Sequence, residues 1–254
     1  MDLSIVIPTC NRADLLDRAI TSIAETVHCR FEIIAVNGAS TDHTAAVLEK
    51  HQAILCNRMQ VVHETKREGF VRGANKGFRL ATGRHVCWIN DDARLLPQAL
   101  DRAVDQLDRG DGSLGCVALF HRWHSQKNVA HEVEHRGSTY SVCHVRGTLY
   151  ANFPVIRRDL FEQLGRLDER FVFYGADPDL SLKVWHAGYR VEPAWGAIID
   201  HDEHDDDRRA EDNGQAKRDN ETLFAKWRLP PRSPVNDYNA ERPCTLMGLA
   251  AQAA

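Results

Sequence analysis

Hydrophobic and polar residues follow two alternating patterns over the first 120 residues of this 254-residue chain. Short apolar runs, many with β-branched residues, predict strands at 3–8, 31–36, 59–64, 85–90 and 114–120. Between them, apolar residues recur every three or four positions, as Leu15, Ala19 and Ile23 do. This period predicts helices at 13–26, 41–51, 70–82 and 97–109, the last with Pro97 in its first turn. Apolar strands that alternate with helices indicate a mostly parallel sheet covered on both faces.

The pattern changes after residue 121. Segments 129–135 and 139–145 alternate between polar and apolar residues, which is typical of antiparallel strands, so we expect a mixed sheet. Helix and strand patterns return over 158–201, and a further helix is predicted within a polar region at 220–229. The end of the chain, 228–254, lacks such periods and is predicted to be a polar tail.

Composition limits the class of protein. With 43% hydrophobic residues the chain can bury the core of one α/β domain, and its net charge of −4 gives no general attraction to nucleic acids or anionic membranes. The seven cysteines are scattered without a C-x-x-C spacing, which favours a reducing compartment over a disulfide framework or a zinc ribbon. Since no segment has the length of a membrane span or the pattern of a signal peptide, we expect a cytoplasmic protein.

Polar loops follow three of the predicted strands, with the sequences PTCNR, NGASTD and NDDAR. In a parallel sheet the carboxyl ends of strands lie along one edge, where ligands bind, so these loops should lie together. The last loop places Asp91 and Asp92 directly after a buried strand. Adjacent carboxylates are costly to desolvate, so either they are solvated at a loop tip or a cation lies between them.

Five motifs in this order resemble the family 2 glycosyltransferases, which have the GT-A fold. They are IVIPTCNR, VNGASTDHT, REGFVRGANKGFRLATGRHVCWINDDA, GRLDERFVFYGADPDLSLKVWHAGYRV and the His of IIDH. The resemblance covers about 3–227. It implies a Rossmann-like, mostly parallel mixed sheet flanked by helices, with a nucleotide-sugar-binding half at 1–120, an acceptor-binding and catalytic half at 121–227, and the tail at 228–254.

The resemblance assigns the acids to a metal site. Asp91 and Asp92 match the acidic DXD motif of the family, which implies that Asp92 binds Mn²⁺ or Mg²⁺ and that Asp91 holds the ribose or an ordered water. His201 matches a third contact to the metal or the pyrophosphate. A divalent cation would neutralise the diphosphate leaving group. The alternative is a solvated acidic turn that precedes a helix.

The segment YGADPDL resembles the part of the family that activates the acceptor. By position, Asp177 would be the general base and Asp179 a supporting carboxylate, whereas Ala176 replaces a Glu that the family usually has. Both acids could instead only cap the following helix. Because a helix N-terminus stabilises negative charge, we expect Asp177 to be ionised, as a base must be.

Nucleotide recognition is assigned to the early loops by the same resemblance. Contacts to the base, ribose and phosphates are implied for Thr9, Asn11, Arg12, Asn37, Arg67, Gly69, Arg72 and Asn75. Asn37 stands where the family usually has an Asp that binds the base, so UDP-, dTDP- and GDP-sugars all stay open as donors. The alternative for 67–75 is an ordinary amphipathic helix with a solvated basic edge.

These assignments together imply an inverting, metal-dependent glycosyltransferase. The acceptor class is not assigned by the resemblance. The candidates are saccharides, lipid-linked precursors, proteins and small molecules, with modified DNA bases as the least favoured. Two rival hypotheses are a nucleotide-sugar-binding protein without catalysis and a nucleotidyltransferase. The second would normally carry a Gly-rich phosphate loop after its first strand, and PTCNR has no glycine.

Overall fold

The computed structural model describes residues 1–122, 129–145, 148–201 and 207–229. Its strands are β1 Leu3–Thr9, β2 Phe31–Asn37, β3 Met59–His63, β4 His85–Trp88, β5 Ala93–Leu95, β6 Leu114–His121, β7 Val129–His135, β8 Ser138–Val145, β9 Thr148–Leu149, β10 Pro154–Arg157 and β11 Arg190–His201. Its helices are α1 Ala13–Thr26, α2 Thr44–Leu55, α3 Phe70–Phe78, α4 Ala99–Arg109, α5 Arg158–Gln163, α6 Ala176–His186 and α7 Asp207–Lys226, with a short 3₁₀ turn at Cys56–Arg58.

The main sheet has the strand order β3-β2-β1-β4-β10-β6-β11-β5. Strands β1 to β4 are mutually parallel, β6 is parallel to β11, and β10 runs antiparallel between β4 and β6. The hairpin β7–β8 pairs antiparallel and joins β6 through β8. The sheet is therefore mixed and mostly parallel, as the sequence pattern predicts.

Helices cover both faces of the sheet, so its central strands contribute side chains to two cores. In β1, Leu3, Ile5 and Ile7 belong to the core beneath α1, α2 and α4, whereas Val6 belongs to the core beneath α3, α5, α6 and α7. This alternation follows from the two-residue period of a strand. Burial on both faces explains why most residues of these strands are apolar.

Several predicted elements differ from the structure. Helix α4 begins at Ala99 rather than at Pro97, directly after Gln98 at φ 65°. Before it, Ala93–Leu95 form a strand that the pattern does not predict, β5, which pairs antiparallel with the end of β11. Helix α3 ends at Phe78, and α7 begins at Asp207, well before the predicted start at 220. The two apolar segments near 190 and 200 form one strand, β11, with an irregular register between Pro193 and Ile198.

Within the described residues, no helix combines the length and the apolar composition that a bilayer crossing requires. Trp227 and Leu229 are buried against the second core, so the chain packs on the sheet as far as 229. The rest of the predicted tail, 230–254, lies outside the described residues.

Candidate active site

The carboxyl ends of β1, β4 and β11 bring a buried polar cluster together. Thr9 Oγ1 donates a hydrogen bond of 2.8 Å to Asp91 Oδ2. Arg12 Nη1 donates to Asp91 Oδ1 at 3.2 Å and to Asp92 Oδ2 at 2.7 Å. His201 Nε2 lies 3.1 Å from Asp92 Oδ1. Residues from three distant parts of the sequence therefore form one network at the edge where the sequence predicts a ligand site.

Burial decides between the two interpretations of the paired acids. Asp91 is 3% and Asp92 4% exposed, so the solvated turn is wrong. A cation does lie between them, and it is the guanidinium of Arg12, itself 6% exposed. Two adjacent buried carboxylates would repel strongly without it, whereas charge-assisted hydrogen bonds to one guanidinium hold both in place.

A divalent metal fits the opposite side of Asp92. Asp92 Oδ1 and His201 Nε2 are neighbours, and a carboxylate with an imidazole is a donor pair that Mn²⁺ accepts. The described residues contain no group of three or more His, Cys, Asp or Glu that could hold a metal. The protein would thus supply two ligands and leave positions for phosphate oxygens and water, as is common for ions that bind nucleotides.

His121, which sequence reasoning missed, lies behind this site at the end of β6. The ring of Phe153 packs against His121 at 5.5 Å and against His201 at 5.3 Å between centroids. Burial, and secondly the proximity of His201, lowers the pKa of His121 to about 3. His121 is therefore neutral and supports the ring that orients His201. Its sequence signal is a polar residue at the end of an apolar strand.

Asn11 and Asn37 use their amides to order the second loop. Asn11, at φ 53°, accepts a hydrogen bond of 2.7 Å from the backbone N–H of Thr41. Asn37 Oδ1 accepts the N–H of Ser40 at 3.0 Å, and Asn37 Nδ2 lies 3.3 Å from His63 Nδ1. Both residues lie at the predicted edge of the sheet, and their contacts to a nucleotide stay predictions.

The predicted donor residues around α3 contact the segment that precedes α6. Arg67 lies over the ring of Phe173, with 4.7 Å from Cζ to the centroid. Gly69 has φ 94°, and a Cβ there would lie 2.6 Å from Val172 Cγ1. Arg72 Nε lies 3.9 Å from Glu169 Oε2, and Asn75 Nδ2 donates a hydrogen bond of 2.9 Å to Leu167 O. These residues join the two halves of the chain, and their contacts to ribose or phosphate stay predictions.

Asp177 lies in the first turn of α6, after Gly175 at φ 77°. Its side chain is half-buried. Loss of solvation raises the pKa of Asp177 to about 8, although a hydrogen bond from its own backbone N–H lowers it. This shift runs against the expectation of an ionised carboxylate at neutral pH, because desolvation opposes the effect of the helix N-terminus. A carboxyl with a pKa near neutrality is nevertheless well suited to exchange protons with a substrate.

Asp179 points away from solvent and is 1% exposed. Trp227 Nε1 donates to Asp179 Oδ1 at 2.7 Å, and Lys226 Nζ lies 2.6 Å from the same oxygen. Asp179 thus connects α6 to the end of α7. It supports the position of α6 through these two contacts and not by touching a substrate.

Asp219 on α7 is a second residue that sequence reasoning missed. It is 1% exposed and accepts hydrogen bonds from the backbone of the loop that carries Asp177. Asp219, Leu223 and Trp227 recur every four residues and are all buried. The sequence signal for Asp219 is an acidic residue in line with the apolar residues of a helix. The predicted helix begins at 220 and therefore excludes Asp219.

Comparison with known proteins supports the fold. The mannosyltransferase PcManGT from Pyrobaculum calidifontis, solved with GDP-Man and Mn²⁺, superposes with a TM-score of 0.69 at 21% identity, over 99% of this chain and 73% of the other. TarS 1-349 from S. aureus, solved with UDP-GlcNAc, gives a TM-score of 0.65 at 17% identity, over 83% of this chain and 61% of the other. The fold is therefore that of the GT-A glycosyltransferases.

Sequence comparison identifies the family. The O-antigen biosynthesis protein RfbC from Myxococcus xanthus is 27% identical over 218 residues, which are 74% of this chain and 16% of RfbC. Polypeptide N-acetylgalactosaminyltransferase 5 from Caenorhabditis elegans is 23% identical over 222 residues, 74% of this chain and 35% of that protein. The chain thus spans well under half the length of these relatives. The model of the family "Glycosyl transferase family 2" matches residues 4–165, more than half of the chain. The chain therefore belongs to glycosyl transferase family 2.

Proposed function

We propose that this chain is an inverting, divalent-metal-dependent glycosyltransferase that moves a sugar from a nucleotide diphosphate to an acceptor hydroxyl. The observation that carries the proposal is the buried network of Arg12, Asp91, Asp92 and His201 at the carboxyl edge of the sheet. Burying two acids without a ligand role is expensive, and this is the edge where such sheets bind nucleotides.

On the donor side, Asp92 and His201 would hold the cation, which would neutralise the negative charge of the departing diphosphate. Arg12 orients both acids through charge-assisted hydrogen bonds to their carboxylates. Asn37 and Asn11 order the loop that would meet the base, with UDP, dTDP and GDP as the candidate nucleotides.

On the acceptor side, Asp177 would take the proton of the attacking hydroxyl. The oxygen then bonds to the anomeric carbon while the bond from that carbon to the diphosphate oxygen breaks on the opposite face, which inverts the configuration. Support comes from the raised pKa of Asp177, because a carboxylate with a pKa of about 8 takes up a proton more readily than an ordinary one once it is ionised. The acceptor class stays open among saccharides, lipid-linked precursors, proteins, small molecules and modified DNA.

The test is calorimetric binding of UDP-GlcNAc, GDP-mannose and dTDP-glucose with and without Mn²⁺. We expect one nucleotide to bind in a Mn²⁺-dependent manner, and Asp92→Ala to abolish that dependence because it removes the carboxylate beside His201. Asp105→Ala is the matched control, since Asp105 pairs only with Arg109 on the exposed face of α4 among the contacts described.

Mn²⁺-dependent binding of unchanged affinity in Asp92→Ala would contradict the proposed metal site. Turnover then separates the rival hypotheses. Release of a nucleoside diphosphate supports a glycosyltransferase, release of pyrophosphate from a sugar phosphate and a nucleoside triphosphate indicates a nucleotidyltransferase, and binding without any turnover indicates a binding protein.

A further inference from the structure

The carboxylate of Asp219 binds three consecutive backbone amides in the loop before Asp177. Asp219 Oδ1 accepts the N–H of Val172 at 3.2 Å, and Oδ2 accepts the N–H groups of Phe173 and Tyr174, each at 2.9 Å. Gln215, one turn earlier on α7, donates to Oδ1 at 2.8 Å. A charged acceptor that serves three adjacent donors is strong and leaves each of these loop amides satisfied.

The loop has little freedom once these bonds are made. Gly175 follows at φ 77°, and a Cβ there would lie 3.0 Å from the ring of Phe171, so the turn into α6 is tight. Val172 O accepts the N–H of Val71 at 3.1 Å, which packs the other side of the loop on α3. The loop is therefore held between a donor-side helix and α7.

Helix α7 also holds the turn that follows Asp177. Lys226 and Trp227, at the end of α7, both contact Asp179 Oδ1. The same helix thus fixes the chain on each side of Asp177, through Asp219 before it and through Asp179 after it. The half-buried Asp177 has an orientation that depends on both attachments.

We propose that Asp219 is a positioning residue: its carboxylate fixes the 172–175 backbone so that the Asp177 carboxyl lies where the acceptor hydroxyl reacts. This inference rests on the proposed function. It predicts that loss of Asp219 impairs transfer and leaves nucleotide binding intact, since the Asp219 carboxylate contacts the loop before Asp177 and Gln215.

The test compares Asp219→Asn with Glu221→Gln. Both replace an α7 carboxylate by an amide, but Glu221 is exposed, whereas the amide at 219 would turn an NH₂ toward backbone donors or lose one of them. The probe is whichever of UDP-GlcNAc, GDP-mannose or dTDP-glucose the wild type hydrolyses fastest with Mn²⁺, with water as acceptor. We expect kcat to fall roughly 10²-fold in Asp219→Asn, as for a small misplacement of a reacting group, while the nucleotide Kd stays within about twofold.

Hydrogen exchange gives a readout that does not depend on turnover. Amide exchange in 171–177 should rise in Asp219→Asn and stay at the wild-type level in β1 and β2. If Asp219→Asn does not fold, Gln215→Ala, which removes one hydrogen bond from the carboxylate, should give the same local pattern with a smaller loss of kcat.

If the wild type turns over a sugar nucleotide and folded Asp219→Asn has the same kcat, this inference is overturned while the proposed function stands. Exchange that rises throughout the protein together with weaker nucleotide binding would show a merely structural residue, and would also overturn it. A wild-type chain that turns over none of the sugar nucleotides would overturn the proposed function and the inference with it.

Discussion

Arg12 makes contacts that its sequence-based assignment does not include, while its contact to a nucleotide stays a prediction. The resemblance places it on a phosphate, but in the structure its guanidinium lies between Asp91 and Asp92. The position of Arg12 after β1 predicts the correct edge of the sheet. The direction in which a long side chain folds depends on charges that are distant in sequence, and these are known only once β1 and β4 are paired.

Removing Arg12 should make the protein more dependent on metal. Arg12→Ala leaves two buried carboxylates without their cation, which should lower the free energy of unfolding by roughly 3–5 kcal/mol without metal. Because Mn²⁺ would then supply the missing positive charge, we expect it to raise Tm more in Arg12→Ala than in the wild type.

Thermal unfolding with and without Mn²⁺ measures this difference. Arg109→Ala is the control, since Arg109 pairs with Asp105 at the exposed surface of α4 and should change stability by no more than about 1 kcal/mol. A smaller Mn²⁺-induced shift in Arg12→Ala would mean that Arg12 prepares the acids for the metal instead of substituting for it.

The raised pKa of Asp177 predicts how activity depends on pH. Below about 8 the carboxyl carries a proton and cannot act as a base, so kcat/KM should rise about tenfold per pH unit up to that point and then level off. Asp177→Asn should be slower by roughly 10²–10⁴-fold and lose this limb, with nucleotide binding retained. A variant with near-normal turnover would exclude Asp177 as the base.

The free energy of unfolding should also depend on the protonation of Asp177, but it should fall as the pH rises, whereas activity rises. The folded-state pKa, about 8, lies above the ordinary value of 3.8, so the folded protein binds this proton more tightly than the unfolded chain does. The resulting stabilisation is complete below pH 3.8 and is lost as the pH rises through 8. Urea unfolding at a series of pH values measures this. In Asp177→Asn, the decrease in the free energy of unfolding between pH 3.8 and about 8 that is due to this group should be absent.

At the level of elements, sequence reasoning succeeded where a pattern is long and local. β1, β2 and α1 were predicted nearly to the residue because their periods extend over seven or more positions. β5 was missed because three residues carry no period, and its partner β11 lies far along the chain. The start of α7 was placed too late because its first half is polar, and its buried stripe contains an acid.

The junction of α3 with the loop at 172 gives a test at this scale. Gly69→Ala should lower the free energy of unfolding by roughly 1–3 kcal/mol, since φ 94° is a conformation that few residues other than glycine adopt, and the new methyl would meet Val172. Gly112→Ala is the control because its surroundings are open. Urea unfolding of both variants measures the difference, and equal stabilities would mean that the junction relaxes freely.

At the scale of the whole molecule, the sheet joins the two predicted halves. β10, from the second half, lies between β4 and β6 of the first and pairs with both. A fragment of residues 1–122 should therefore not fold into a stable domain, because β4 and β6 would each lack a partner strand. Circular dichroism and gel filtration of the fragment measure this, and cooperative unfolding of a monomer would contradict it.

Helix α7 follows all the strands of the described part of the chain, yet it holds the loop and the turn on either side of Asp177. During synthesis on the ribosome, the sheet and its nucleotide edge can assemble before this helix emerges. On the proposed function, a nascent or prematurely terminated chain would bind a sugar nucleotide but could not transfer the sugar to an acceptor. The order in which the chain leaves the ribosome would thus delay activity until the fold is complete, without a separate inhibitor.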